Sequence, residues 1–384
     1  MNAIDKSPDV LVIGGGIIGC TTAYRLAQAG LAVTIVERGV CGREASWAGA
    51  GIIYPGSELR TDVVAQLRRA AIARFPDFVA ELRERTGIDP QFVRCGSLDI
   101  ITDDNQDAAA DREVAAAVDH KTNTGEPFIE RLTPRQAREH EPNLTPKIRG
   151  AVLMRETAQV RNPRLMAALR AACAQAGVKL LEQTAVLDLL VDGARVGGVQ
   201  TARGPIAAGK VVLAAGAWSS SIDRRLAGLI EVFPVRGQIV LLEMLPRVFT
   251  HFILHGRSYL ASRLDGKIIV GSTEEPEAGF DKSNTVAGVA RLLRVAERFM
   301  PRLKDATLLR TWAGLRPGTP DSKPYLGPVP GLEGLIAATG HYRSGLTLAP
   351  ITADLITQYI TQGKTDIDLE PFRPGRPQNQ SAKR

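Results

Sequence analysis

Apolar positions change period several times along this chain. The first clear signal is the run Val10-Leu11-Val12-Ile13, followed by glycines, by apolar residues at helical spacing (Ala23, Leu26, Ala27), and by a second short apolar run ending at Glu37. A continuous run, a glycine turn, a 3.6-residue period and another run predict a strand–turn–helix–strand unit. Helical spacing recurs over 63–86, 105–118, 163–176 and 285–299, and a last helix is expected from about Gly345 to about Tyr359. Between 178 and 218 apolar residues alternate around turn signals at Asp192-Gly193 and Gly204-Pro205, predicting hairpins that lead to a buried strand at 210–213. A strand-rich stretch is expected over 232–273, whereas 310–330, punctuated by proline and glycine, reads as irregular chain. The pattern predicts an α/β fold, α+β overall, with a Rossmann-like dinucleotide domain interrupted by a sheet-based second domain.

Composition narrows the class. At 384 residues the chain exceeds one simple core, so two or three domains are expected. It is 44% hydrophobic and 23% charged, the balance of a soluble globular protein, and no apolar run approaches the roughly eighteen residues that span a bilayer. The polar, acid-bearing start MNAIDKSPD is unlike a signal peptide, so a cytoplasmic location is expected. Cys20, Cys41, Cys95 and Cys173 form no CxxC pair and have no histidine at ligand spacing, so they read as reduced thiols and no metal site is expected. A net charge of +7 invites a nucleic-acid reading, but AELRERTGID and RETAQVRNPR interleave bases with acids, as a solvated surface does. Only the end, FRPGRPQNQSAKR, is purely basic, and it is expected to be flexible.

Gly14, Gly16 and Gly19 form G-x-G-x-x-G between the first strand and the first helix. That spacing gives a tight turn, close backbone approach to a pyrophosphate and close helix–strand packing, and the helix N-terminus presents free N–H groups to the anion. Glu37 stands where a carboxylate accepts from a ribose, and beside it Arg38 does not make a 2′-phosphate site, because Glu37 repels one. The unit alone does not separate NAD from FAD. The stretch GREASWAGAGIIYP at 42–55 favours a flavin, because Ala48, Gly49, Ala50 and Gly51 keep side chains away from a backbone that passes along a large cofactor.

EASWAGAGI, WAGLRPGTPDSKPYLG and GHYRSG, in this order and spacing, resemble the D-amino-acid oxidase family of flavoproteins, especially its glycine-oxidising branch, over nearly the whole chain. The resemblance implies non-covalent FAD contacted by Gly14, Gly16, Ile17, Ile18, Gly19, Glu37, Arg38, Ala45, Ser46, Ala50, Gly51 and Ile52. It places Val186 beside the adenine and His341, Tyr342, Arg343, Ser344, Gly345, Leu346 and Thr347 near the ring. Some relatives tether flavin through a late cysteine, and this chain has none after Cys173. The FAD-binding domain is expected at 1–88, 143–226 and 314–366, the substrate domain at 89–142 and 227–313, and a flexible basic tail at 367–384.

Oxidising an amine at a flavin needs positioning more than acid–base catalysis, and the chain shows no triad or metal cluster, so no catalytic acid or base is expected. By resemblance Arg316 binds the substrate carboxylate, Tyr259 faces it, and Arg343 lies at the same site. Arg257 stands where the branch has a histidine and Glu274 where it has a methionine. Were both to line the pocket, pairing would narrow it and favour small substrates. Trp47 and Trp312 are candidates for the site wall or for packing, and His341 is expected to be a structural partner rather than a base. The expected activity is oxidative deamination of glycine, sarcosine or D-alanine with oxygen as acceptor, giving imine and glyoxylate, ammonia and hydrogen peroxide, with possible use of the imine in thiazole assembly for thiamin. Alternatives are a D-amino-acid, sarcosine or proline dehydrogenase using a quinone or carrier, a nicotinamide dehydrogenase, and a nucleic-acid-binding flavoprotein. A homo-oligomer is among the expected states.

Overall fold

The computed structural model describes residues 7–377 except 58 and 123. The first strand, Val10–Ile13, sits inside a six-stranded sheet whose order is Tyr325–Pro328, Leu335–Thr339, Lys210–Leu213, Val10–Ile13, Val33–Val36 and Lys179–Leu181. All pairs are parallel except the antiparallel edge strand Tyr325–Pro328. Parallel strands need covering on both faces, which is why these runs are continuously apolar. On one face the helices Ile17–Gln28, Asn162–Gln175 and Gly345–Gln362 bury Cys20, Leu26, Leu169 and Ile356 against Val12 and Ile35. On the other, an antiparallel three-stranded sheet (Val186–Asp192, Arg195–Thr201, Gly204–Ala207) packs Leu189, Val196 and Val199 over Leu11, Ile13 and Leu213.

A second sheet has eight strands in the order Thr307–Gly318, Phe233–Glu243, Lys267–Gly271, Ser258–Ser262, Phe252–His255, Ser97–Ile101, Gly150–Met154 and Ile129–Leu132. Its faces follow the period of two. Val240, Leu242, Leu260, Ile268 and Val270 turn toward Leu292, Ala296 and Phe299 of the helix Val286–Phe299. Ile239, Tyr259, Ala261 and Ile269 turn the opposite way, with Ala50 of the loop that follows the second strand. The long helix Val63–Thr86 starts on Asp62, whose side chain accepts from the amides of Val64 and Ala65, and ends at Gly87 in the left-handed conformation. Among the described residues no helix is long and apolar enough to cross a membrane.

Three expectations change. The segment 310–330 is not irregular throughout: Thr307–Gly318 is a strand along its whole length, and its Pro317 is tolerated because the strand lies at the sheet edge, where a missing N–H breaks no ladder. The stretch 150–154, assigned from sequence to the FAD-binding segment, is hydrogen-bonded between Ser97–Ile101 and Ile129–Leu132 in the eight-stranded sheet. Residues 367–377, expected to be flexible, are packed: Phe372 is buried, and Arg376 donates to Asp321 and lies 4.1 Å from the Tyr325 ring. The rest of that expected tail, 378–384, lies outside the described residues. The sequence reading also missed the helix Pro134–His140, although Thr133 and Gln136 form a capping box there.

Candidate active site

Where the inner face of the eight-stranded sheet meets the loop 45–52 and the starts of two helices, the chain encloses a cavity of about 510 Å³. Ile17 and Ile18 open one helix onto it, and Gly345, Leu346 and Thr347 open the other. Both helices direct the positive end of their dipole at the same space.

The turn before the first helix is set by contacts within the protein. Gly14 has φ +104°, and a Cβ there would stand 2.5 Å from the carbonyl oxygen of Ala214. Ser46 accepts from the amide of Ile17 at 2.8 Å, while the amides of Ile18 and Gly19 have no partner among the described residues. The loop itself is held from behind. Asn162 donates to the carbonyl of Ser46 at 2.7 Å, Arg263 donates to the carbonyl of Ala50 at 2.5 Å, and the amide of Val160 donates to the carbonyl of Gly51. Gly51 has φ +72°, and a Cβ on it would clash with the Val160 carbonyl and stand 2.5 Å from Asn162 Oδ1. Its small size therefore serves the packing of the loop, while it lines the cavity together with Ala48, Gly49 and Ala50.

Not every residue expected around the nucleotide lies on this cavity. Gly14 and Gly19 sit beneath it, and Glu37, Arg38 and Val186 are outside its lining. Glu37 accepts from the amides of Gly15 and Gly39, both at 2.8 Å, so it fixes the glycine turn. Arg38 stacks 3.4 Å above the Trp218 ring and pairs with Glu44.

On the sheet side, Arg316 and Tyr259 meet as expected. Arg316 donates to Ser272 Oγ at 2.5 Å and to the Thr273 carbonyl at 3.3 Å, and burial pulls its pKa down. Among the described residues no carboxylate lies within ion-pair distance of it. Gly237 leaves the room for its guanidinium, since a Cβ there would fall on Arg316, and Gly271 does the same for the Tyr259 ring. Burial raises the Tyr259 pKa. His341 is buried and neutral: burial lowers its pKa to about 3, and its Nε2 shares a 3.0 Å hydrogen bond with Thr352, which fits a structural partner.

Arg257 and Glu274 do pair, at 2.5 Å, but only Arg257 lines the cavity. Glu274 sits behind, accepting from the Tyr342 hydroxyl at 2.6 Å and lying 3.9 Å from Arg343. Burial first, and Glu274 second, push Tyr342 up to about 12. Trp47 and Trp312 lie outside the lining. Their ring centroids are 5.5 Å apart, and Trp312 donates to the Ala48 carbonyl, so they clamp the loop.

Sequence reasoning missed Tyr54, Arg68, Asp99 and Asn162, all of which line the cavity. One signal was present: Asp99 is an acid inside the apolar run SLDII. Arg68, on the long helix, gave none; only the fold brings it to Ser344, to which it donates at 2.8 Å.

This donor set fits a dinucleotide with a flat ring. Unpartnered amides at a helix start, a backbone kept bare of side chains, and the buried, unpartnered Asn162 Oδ1 all face or adjoin the cavity. The family model described as FAD dependent oxidoreductase matches residues 9–359. The chain is 41% identical over 370 residues to the glycine oxidase of Pseudomonas aeruginosa, covering 96% of this chain and 99% of that one. It is 38% identical over 374 residues to the glycine oxidase of Pseudomonas putida, covering 96% and 98%. The crystal structure of glycine oxidase from Geobacillus kaustophilus has a TM-score of 0.89 with it at 34% identity, covering 96% of this chain and 99% of that one.

Proposed function

The chain belongs to the FAD dependent oxidoreductase family, and from that premise we propose that it deaminates glycine and other small amines such as sarcosine and D-alanine, passing electrons to oxygen. With glycine, one oxygen and one water are consumed and glyoxylate, ammonia and hydrogen peroxide are formed; sarcosine would release methylamine in place of ammonia, and D-alanine pyruvate in place of glyoxylate. The observation that carries it is Arg316, a largely buried guanidinium on the cavity whose hydrogen-bond partners among the described residues are Ser272 and Thr273. Its planar fork can donate to both oxygens of an amino-acid carboxylate, fixing orientation as well as charge.

FAD, when bound, supplies the two-electron acceptor for the substrate α-C–H bond. Ile17, Ile18, Ser46, Gly49 and Ala50, with Gly345 to Thr347, are the residues that would hold it. Glu37 would act on the cofactor by fixing Gly15. Tyr259 presents its hydroxyl beside Arg316, and Arg343, tethered loosely to Glu274, stands at the mouth. His341 stays neutral and takes no proton from the amine.

The proposed FAD-binding part keeps the segments 1–88, 143–226 and 314–366, less the strand Gly150–Met154 and the last residues of the edge strand, which belong with the substrate-binding part. Non-covalent attachment, a cytoplasmic location, a homo-oligomeric state and use of the imine in thiazole assembly belong to the same proposal. The cysteines Cys20, Cys41, Cys95 and Cys173 are all free, which suits a reducing compartment. The test is anaerobic bleaching of the flavin spectrum by glycine, followed by peroxide on admitting oxygen. Bleaching without oxygen uptake would replace the oxidase by a dehydrogenase, and no bleaching would reject glycine. Acid precipitation should leave yellow FAD in the supernatant; colour confined to the pellet would contradict a non-covalent flavin.

A further inference from the structure

One row of residues crosses the cavity face of the eight-stranded sheet, fixed by pairing register. Ile239 stands opposite Gly271, Gly271 opposite Tyr259, Tyr259 opposite Leu254, and Leu254 opposite Asp99. Paired residues point to one face, so the parity that turns Tyr259 to the cavity turns Asp99 there too. Tyr259, Leu254 and Asp99 all line it, while Leu98 and Ile100 point into the opposite core.

An acid is costly in that place. Desolvation, with the like charge of Glu113 second, pushes the Asp99 carboxyl up to about 6. Among the described residues it has no ion pair and no side-chain hydrogen bond. The four arginines of the same cavity are engaged elsewhere: Arg68 on Ser344, Arg257 and Arg343 on Glu274, Arg316 on Ser272. A desolvated carboxylate is retained at little cost only when a cation joins it. The partner that comes and goes in a substrate cavity is a ligand.

We propose that Asp99 forms a cation-recognising subsite, taking the distal ammonium or guanidinium group of a basic amino acid whose carboxylate is held by Arg316. Two strand spacings put the Cα atoms of Tyr259 and Asp99 on the order of 10 Å apart, further than glycine extends. The inference rests on Arg316 as the carboxylate anchor and widens the substrate class from small amines to basic D-amino acids, with ω-amino acids as ligands that bind without being oxidised.

The probes are 5-aminopentanoate and pentanoate, titrated by calorimetry into the FAD-loaded enzyme. The ammonium should tighten binding about tenfold or more, as expected for a hydrogen-bonded charge pair, and Asp99→Asn should abolish that preference. Equal binding of the two by the parent enzyme, no binding of either, or a preference that survives in Asp99→Asn would overturn the subsite. Should the variant not fold, the parent enzyme decides through D-lysine against D-norleucine: kcat/KM about tenfold higher for D-lysine supports the subsite, and parity or the reverse overturns it. Glycine-dependent peroxide is measured on the parent alone. Its absence defeats the glycine reading, while the two dissociation constants still decide the role of Asp99.

Discussion

Arg316 and Asp99 are the two side chains whose burial has the sharpest consequences. Arg316→Ala removes a charge-assisted, bidentate contact worth roughly 2 to 4 kcal/mol, so kcat/KM for glycine should fall about thirty- to a thousandfold with FAD retained. Near-normal kinetics in a flavin-replete variant would take Arg316 out of the site. Tyr259→Phe removes one hydroxyl and keeps the wall, so its loss should be smaller. For Asp99 the linkage runs against stability. Its folded pKa, about 6, lies above the ordinary carboxyl value near 3.9, so the unfolded chain releases the proton first. Folding is helped below about pH 4, and that help is lost as pH rises through about 6, a change of up to about 3 kcal/mol. Glu113 adds like charge and Tyr54 remains protonated beside it, so neither relieves the cost. Asp99→Asn should therefore gain stability over the parent at pH 7 relative to pH 4 in denaturant titrations without substrate. An identical difference at both pH values would show that the carboxyl is not desolvated.

The loop 45–52 acts as one element because its backbone carbonyls are tied at four places, to Asn162, Trp312, Arg263 and Val160. Gly51→Ala places a Cβ at φ +72° against the Val160 carbonyl, combining a disfavoured backbone with a clash. Each effect costs on the order of 1 kcal/mol or more, and the movement displaces the wall of the cavity. The variant should lose flavin absorbance per protein and melt at lower temperature. Gly49→Ala, with no positive φ and its nearest neighbour at 3.2 Å, should do much less. Equal behaviour of the two variants would mean that the loop tolerates displacement. The segment after Gly271 is a second such element: Arg236 pairs with Glu275 and Asp281 and so sets the position of Ser272, Thr273 and Glu274 around Arg316.

At the scale of the molecule, the cavity takes one wall from each large sheet, so a bound FAD ties the two together. Removing it should lower the melting temperature by several degrees, since a ligand at a thousandfold excess over its Kd contributes about 4 kcal/mol. Equal melting of apo and holo forms in calorimetry would contradict a cofactor that spans both sheets. The sequence by itself determined the first strand–turn–helix–strand unit, the helices at Val63–Thr86, Asn162–Gln175 and Val286–Phe299, and the family-specific motifs, because glycine spacing and hydrophobic period are local properties. Arg316 and Tyr259 were singled out by the family resemblance of their motifs, and the sheet brings both to the same cavity. Tertiary structure alone decided the rest. Thr307–Gly318 is a strand because Phe233–Glu243 pairs with it from end to end, with one register shift at Leu241/Leu242, against the signal of its own glycines and Pro317. Glu274 lies behind Arg257 rather than on the cavity because of the way its segment is anchored on Arg236. Asp99 reaches the same cavity as Arg316 through pairing registers that span the sheet. Those placements depend on contacts between residues far apart in the chain, and no local period encodes them.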